Sequence, residues 1–163
     1  MLIKIKNKDT LIFEEFKLKC SIGKAGIKKN KIEGDKSTPK GIYKLGKLYW
    51  RADRVEKPIT KLLTKKINKK MGWCNDSRSK FYNKEILINK NIKHEKLMRK
   101  DFKYNYFILI KYNYTKVKKN VGSAIFIHLT KNYKKTSGCI ALSEKDFLIL
   151  AKIVNKNTLI KIY

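Results

Sequence analysis

Apolar residues in this chain recur mostly with period two, in short runs broken by Lys, Asn and Gly. Such runs bury one face as strands and cannot do so as helices. Residues 1–6 and 10–19 read as two strands around the polar turn Asn7-Lys8-Asp9. Residues 42–50 are strand-like and aromatic, and residues 104–113 are a β-branched and aromatic run. Residues 123–130, 139–142 and 158–162 read as further strands. Helical spacing is clear once: Ser143 precedes Phe147, Leu150, Ala151 and Val154, with Asp146 in a near capping box. Residues 94–101 suggest a second, short helix. The expectation is a mainly β sandwich or barrel with one or two short helices. A chain of 163 residues suits a single domain over 1–163, with enough length for a real core.

Residues 21–41 hold Gly23, Gly26, Gly34 and Gly41 and read mostly as turns. Gly41-x-x-x-x-Gly46-Lys47 approaches a phosphate-binding loop, but Leu48 stands where Ser or Thr is needed. Its interior, Ile42-Tyr43-Lys44-Leu45, reads as strand instead. Residues 51–93 are the least regular part, rich in Lys, Asn and aromatics. Long stretches of this kind in small domains often carry function. Residues 51–103 are therefore expected to form a lid or rim over the functional pocket. Trp73, Phe81 and Tyr82 lie near lysines and suit either stacking on a ligand or satellite core packing.

The formal net charge is +28. Such a field attracts polyanions: nucleic acid, anionic lipid or a wall polymer. Nearly all the cations are Lys, with Arg only at 51, 54, 78 and 99. The lysines are scattered, which also fits simple compositional bias. A nucleic-acid-binding module is the alternative of another class. Scarce Arg and the lack of a recognition motif count against it. No run approaches the roughly 18 apolar residues of a membrane span. The N-terminus, Met1-Leu2-Ile3-Lys4-Ile5-Lys6, alternates and lacks the apolar core of a signal peptide.

Cys20, Cys74 and Cys139 are an odd set without paired spacing, and His94 and His128 are not spaced from them like zinc ligands. No metal or other cofactor is expected. Strand alternation is more informative. Ile125, Ile127 and Leu129 share one face of strand 123–130, and Ala124, Phe126, His128 and Thr130 the other. Ile140 and Leu142 likewise turn inward and put Cys139 on the opposite face. An antiparallel hairpin of these strands would bring Cys139 and His128 together. That pair suits nucleophilic catalysis, with the imidazole taking the thiol proton. Gly138 permits close backbone approach, and the amides around Ser137 to Cys139 could face a developing oxyanion. A buried structural Cys beside a satisfied His is the other reading of the same spacing.

His128 and the segment Thr136-Ser137-Gly138-Cys139-Ile140-Ala141-Leu142 resemble the signature of the L,D-transpeptidase catalytic domain, the YkuD-type family. The segment Gly34-Asp35-Lys36-Ser37-Thr38-Pro39-Lys40-Gly41 is similar to that family's upstream turn. Further matches lie in Trp73-Cys74-Asn75-Asp76, His94-Glu95, Arg99 and Gly122-Ser123-Ala124-Ile125-Phe126, and look like a compact, single-domain subgroup. The resemblance implies an L,D-transpeptidase-type fold and a Cys139 thiolate that attacks a diaminopimelate carbonyl of a donor stem peptide. A thioester forms, and an acceptor amine resolves it; water in that role would give an L,D-carboxypeptidase. Ser137 and Ala141 stand where many members have His and Arg. Arg51, Trp73, His94 and Arg99 are the candidate substrate contacts. The implied partners are peptidoglycan stem peptides, met by a monomer in the periplasm, with an anionic wall or membrane surface as a further partner through charge. Export would allow Cys20 and Cys74 to pair and leave Cys139 free.

Overall fold

The structure is a computed structural model that describes residues 1–163. Its strands begin with β1 (Leu2–Lys6), β2 (Thr10–Phe13), β3 (Phe16–Lys19), β4 (Ile27–Lys28) and β5 (Thr38–Pro39). The middle of the chain gives β6 (Gly41–Trp50), β7 (Thr64–Lys66), β8 (Met71–Cys74), β9 (Glu85–Leu87) and β10 (His94–Lys96). Then follow β11 (Tyr106–Ile110), β12 (Phe126–Leu129), β13 (Ile140–Leu142), the helix α1 (Glu144–Ile153) and β14 (Leu159–Ile162). The main sheet runs β13-β12-β11-β6-β14-β1-β2-β3, with β7 beside β6. Its two ends nearly meet. Ser21, just past β3, exchanges two 2.9 Å backbone hydrogen bonds with Ala141 of β13. The sheet is thus an almost closed barrel with little free edge.

The inner face carries the larger core, with Ile3, Leu11, Leu48, Ile108, Ile127 and Ile160 fully buried. The helix α1 turns its apolar stripe onto this face through Phe147, Leu150 and Ala151. Ser143 caps it, its Oγ accepting from the Asp146 amide at 3.1 Å. Phe147 is fully buried and stacks on Tyr106 at 5.8 Å. Phe147→Ala is expected to cost about 3–5 kcal/mol, measurable by urea unfolding.

Strands β11 and β12 are buried on both faces. A continuous apolar run such as Tyr106-Phe107-Ile108-Leu109-Ile110 fits that position better than an alternating one. What covers the outer face is a small sheet, β10-β8-β9. Between it and the barrel lies a second, aromatic core of Tyr49, Trp73, Tyr104, Phe107 and Phe126, and Cys139 belongs to it.

Three sequence expectations are corrected. Residues 94–101 form no helix; His94–Lys96 is strand β10, paired with Cys74–Gly72. An eight-residue helix preceded by Lys93 lacks a good cap and is marginal alone, whereas edge pairing satisfies its backbone. Residues 10–19 are a hairpin bent at Glu14, whose φ is 46°, and not one strand. Strands β12 and β13 pair parallel, not antiparallel. The connecting segment crosses the barrel end, anchored where the Thr136 amide donates to Ile22 O at 2.9 Å and Lys24 donates to Thr136 O at 2.9 Å. Cys20 and Cys74 are separate free thiols, each buried in its own surroundings.

Candidate active site

The parallel register sets Ile127 against Ile140 and His128 against Ala141. Ile127 and Ile140 face inward, so Cys139, one residue before Ile140, shares the outer face with Phe126 and His128. Its side chain is closely held. The thiol donates to Ala124 O at 3.2 Å, and Sγ accepts from the Phe126 amide at 3.4 Å. Cys139 is 9 % exposed and His128 7 %, so both stand at the floor of a groove. His128 Nδ1 donates to Leu129 O at 2.9 Å, in the tautomer that leaves Nε2 free as a base. Tyr104 packs against the imidazole with ring centroids 5.6 Å apart.

Burial dominates the titration of both groups. It pulls His128 down to about 4, against a smaller opposing effect of the Leu129 carbonyl. It pushes the Cys139 thiol up to about 12, helped by the Glu95 carboxylate and opposed by the Phe126 amide, Lys31 and Arg99. At neutral pH the resting pair is therefore a neutral thiol and a neutral imidazole.

The segment before Cys139 is fixed from the turn at residues 34–41. Thr38 is fully buried; its Oγ1 accepts from the Gly23 amide at 2.9 Å and donates to Gly138 O at 2.8 Å. Gly138 has φ 136°, and a Cβ there would lie 2.8 Å from Ser37 O, so only glycine fits. Asp35 ties the turn together by accepting from Lys31 Nζ at 2.6 Å and from the Ser37 amide at 2.9 Å. Burial opposes ionisation of Asp35, but Lys31 and Ser37 outweigh it and hold the carboxyl well below the usual range. Thr38→Val leaves two buried backbone groups unpaired. It is expected to cost about 2–5 kcal/mol in urea unfolding and to slow any chemistry at Cys139.

The Gly138 amide is occupied, donating to Thr136 Oγ1 at 3.1 Å. The amides of Ser137 and Cys139 make no hydrogen bond within the chain.

Cys139, His128, Ser137 and Arg99 line one groove of about 870 Å³. Its walls carry nine cations, eight Lys and Arg99, against two carboxylates, Glu33 and Glu95. Of the other sequence candidates, Arg51 lies behind the groove. Its Nη1 donates to Arg99 O at 2.7 Å, and Asp53 holds its other nitrogens, so it positions Arg99. Trp73 is buried and donates from Nε1 to Asn83 at 2.9 Å. His94 takes the opposite face of β10 from Glu95, its ring over Gly72 and its Nδ1 on Ile92 O. The expected rim is present in part: Asn75, Lys93, Glu95, Arg99, Phe102 and Lys103 border the groove, while 51–72 do not. Trp73 and Tyr82 are core residues, and Gly41–Trp50 is strand throughout.

Two groove residues escaped the sequence reading as site residues, Glu95 and Tyr104. The Tyr104 hydroxyl donates to Glu95 Oε1, and the Arg99 guanidinium stacks 5.0 Å from the Tyr104 ring. The alternation of His94-Glu95-Lys96 was the available signal, had the segment been read as strand.

A family model, YkuD, the L,D-transpeptidase catalytic domain, matches residues 2–162. No curated protein matches the chain.

Proposed function

The chain belongs to the L,D-transpeptidase catalytic-domain family, and from that premise we propose that it forms cross-links between peptidoglycan stem peptides through a thioester on Cys139. One observation carries this reading: Cys139 and His128 open onto the same groove, with free amides at Ser137 and Cys139 beside the thiol.

The steps follow from the neutral pair. A donor stem enters with its scissile carbonyl over Sγ. His128 Nε2 takes the thiol proton as Sγ bonds to the carbonyl carbon, and the oxygen gains charge against the Ser137 and Cys139 amides. Collapse expels the terminal amino acid as an amine, which takes the proton from His128. The thioester remains. An acceptor amine then attacks, gives its proton to His128 and displaces the thiolate, which is reprotonated. Stem peptides bear carboxylates, which suit a groove rich in lysine. The place of action on this reading is the periplasm.

Hydrolysis is the second reading, because a cationic groove repels an ammonium acceptor more than it repels water. Incubation with tetrapeptide stems followed by intact-mass and product analysis tests both. An adduct of the stem less its last residue, with cross-linked dimers, supports transfer. Shortened monomers alone support hydrolysis. No adduct and no product from any stem would sink the assignment.

A further inference from the structure

The groove that holds Cys139 has a charge pattern with one exception to it. Nine cations line it, and a positively charged ligand group finds only two carboxylates there. Glu33 is engaged, its Oε2 accepting from the Tyr82 hydroxyl. Glu95 is likewise engaged on one oxygen only, but its partner Tyr104 packs against His128, whereas Tyr82, the partner of Glu33, accepts from the Gly122 amide. Glu95 Oε1 accepts from Tyr104 and lies 3.8 Å from Arg99 Nη1. Its Oε2 has no hydrogen-bond partner in the chain, and Arg99 approaches the carboxylate no closer than 3.8 Å. The side chain is 27 % exposed, and the unpartnered oxygen is not sealed from solvent.

The surroundings keep it that way. Glu95 sits opposite Trp73 in the β10–β8 register, which turns it toward the barrel and the groove. Tyr104 is buried and fixes the carboxylate from behind. Arg99 does not close over it, because Asp101 grips the guanidinium twice, at 3.0 Å on Nε and 2.6 Å on Nη2. The result is a held carboxylate with one oxygen open beside a nucleophile, in walls that otherwise favour anions.

We propose that Glu95 binds the side-chain ammonium of the diamino-acid residue in a stem peptide, and so selects stems whose amine is free. This rests on the peptidoglycan reading above. The ammonium has two sources. A donor carries it on the same residue whose carbonyl is attacked, and an acceptor brings it to the thioester.

The test compares wild type and Glu95→Gln on tetrapeptide stems with a free or an N-acetylated side-chain amine. Acylation by both donors is followed by intact mass, and aminolysis, for which only the free stem has a nucleophile, by the ratio of dimer formation to hydrolysis from preformed acyl-enzyme. Wild type is expected either to be acylated about 10–100-fold faster by the free than by the blocked donor, a preference that Glu95→Gln loses, or to partition to dimer over hydrolysis about 10–100-fold more than Glu95→Gln does. Loss in the acylation step identifies the donor amine, and loss in the aminolysis step the acceptor amine. In Glu95→Gln, acylation by the blocked donor should fall much less than acylation by the free donor, whereas a merely structural role slows both alike. An acylation preference retained in Glu95→Gln, equal slowing of free and blocked donors, or no acylation preference in wild type together with an unchanged dimer-to-hydrolysis ratio in Glu95→Gln would overturn the proposal. Absence of any adduct in wild type would instead remove the reading it rests on.

Discussion

Cys139→Ala is expected to abolish the covalent adduct with stem peptides and to lower turnover by at least about 10⁴-fold. On the proposed reading the sulfur is the atom that bonds to the carbonyl carbon, and it is held between Ala124 O and the Phe126 amide. Replacing it removes the bond-forming atom and leaves the groove shape nearly intact. The stability cost should be small, about 1 kcal/mol, because one buried atom is lost. Turnover of the variant can thus be read without the complication of unfolding. Cys20 and Cys74 cannot substitute, since Cys20 packs in the inner core and Cys74 in the small sheet. Intact mass and product analysis give the result directly. Residual turnover above about one hundredth of wild type would show that the reaction does not pass through this thiol.

The same burial that places the thiol also restrains it. With Cys139 pushed up to about 12, the resting enzyme holds almost no thiolate at neutral pH. The proposed mechanism accordingly has proton transfer accompany attack, with no standing ion pair. The cost is a slower free nucleophile, and the benefit is protection from oxidation, which tracks thiolate character.

Much of this site is legible in the sequence, and the part that is legible has a common cause. Strand parity survives errors in strand direction. Ile127 and Ile140 point inward whether β12 and β13 run parallel or antiparallel, so the shared face of His128 and Cys139 follows from alternation alone. The direction itself depends on Thr136 meeting Ile22 and Gly23, a contact across more than a hundred residues that no local pattern encodes. The arginines show the same limit. Arg51 and Arg99 are equally plausible as sequence, yet one backs the other, and only the fold decides which reaches the groove. Misreading 94–101 as helix hid Glu95, because helical spacing does not separate it from His94, whereas strand alternation puts them on opposite faces. The turn at 34–41 was visible as a motif, but its task of tethering Gly138 through Thr38 was not.

His128→Gln is expected to lower the acylation rate by about 10²–10⁴-fold, the usual worth of a positioned general base. Gln is neutral and of similar reach, so the loss reports proton transfer more than packing. The wild-type pH profile gives the sharper check. His128 must be unprotonated to act as a base, and burial has moved its titration down to about 4. Activity should therefore stay flat from about pH 5 to 8 and fall only on approaching pH 4. An acid limb centred near 6.5 would contradict a buried neutral imidazole. Stability should follow the same group. Unfolded histidine binds its proton near 6.5 and the folded one near 4, so between these values the unfolded state holds more protons. Folding stability must then fall as pH drops through that window, by up to about 3 kcal/mol. His128→Gln has no proton to take up and should lose that much less on going from pH 7 to pH 4. Urea unfolding at the two pH values measures the difference, and an equal loss in both proteins would show that His128 is not the group that titrates.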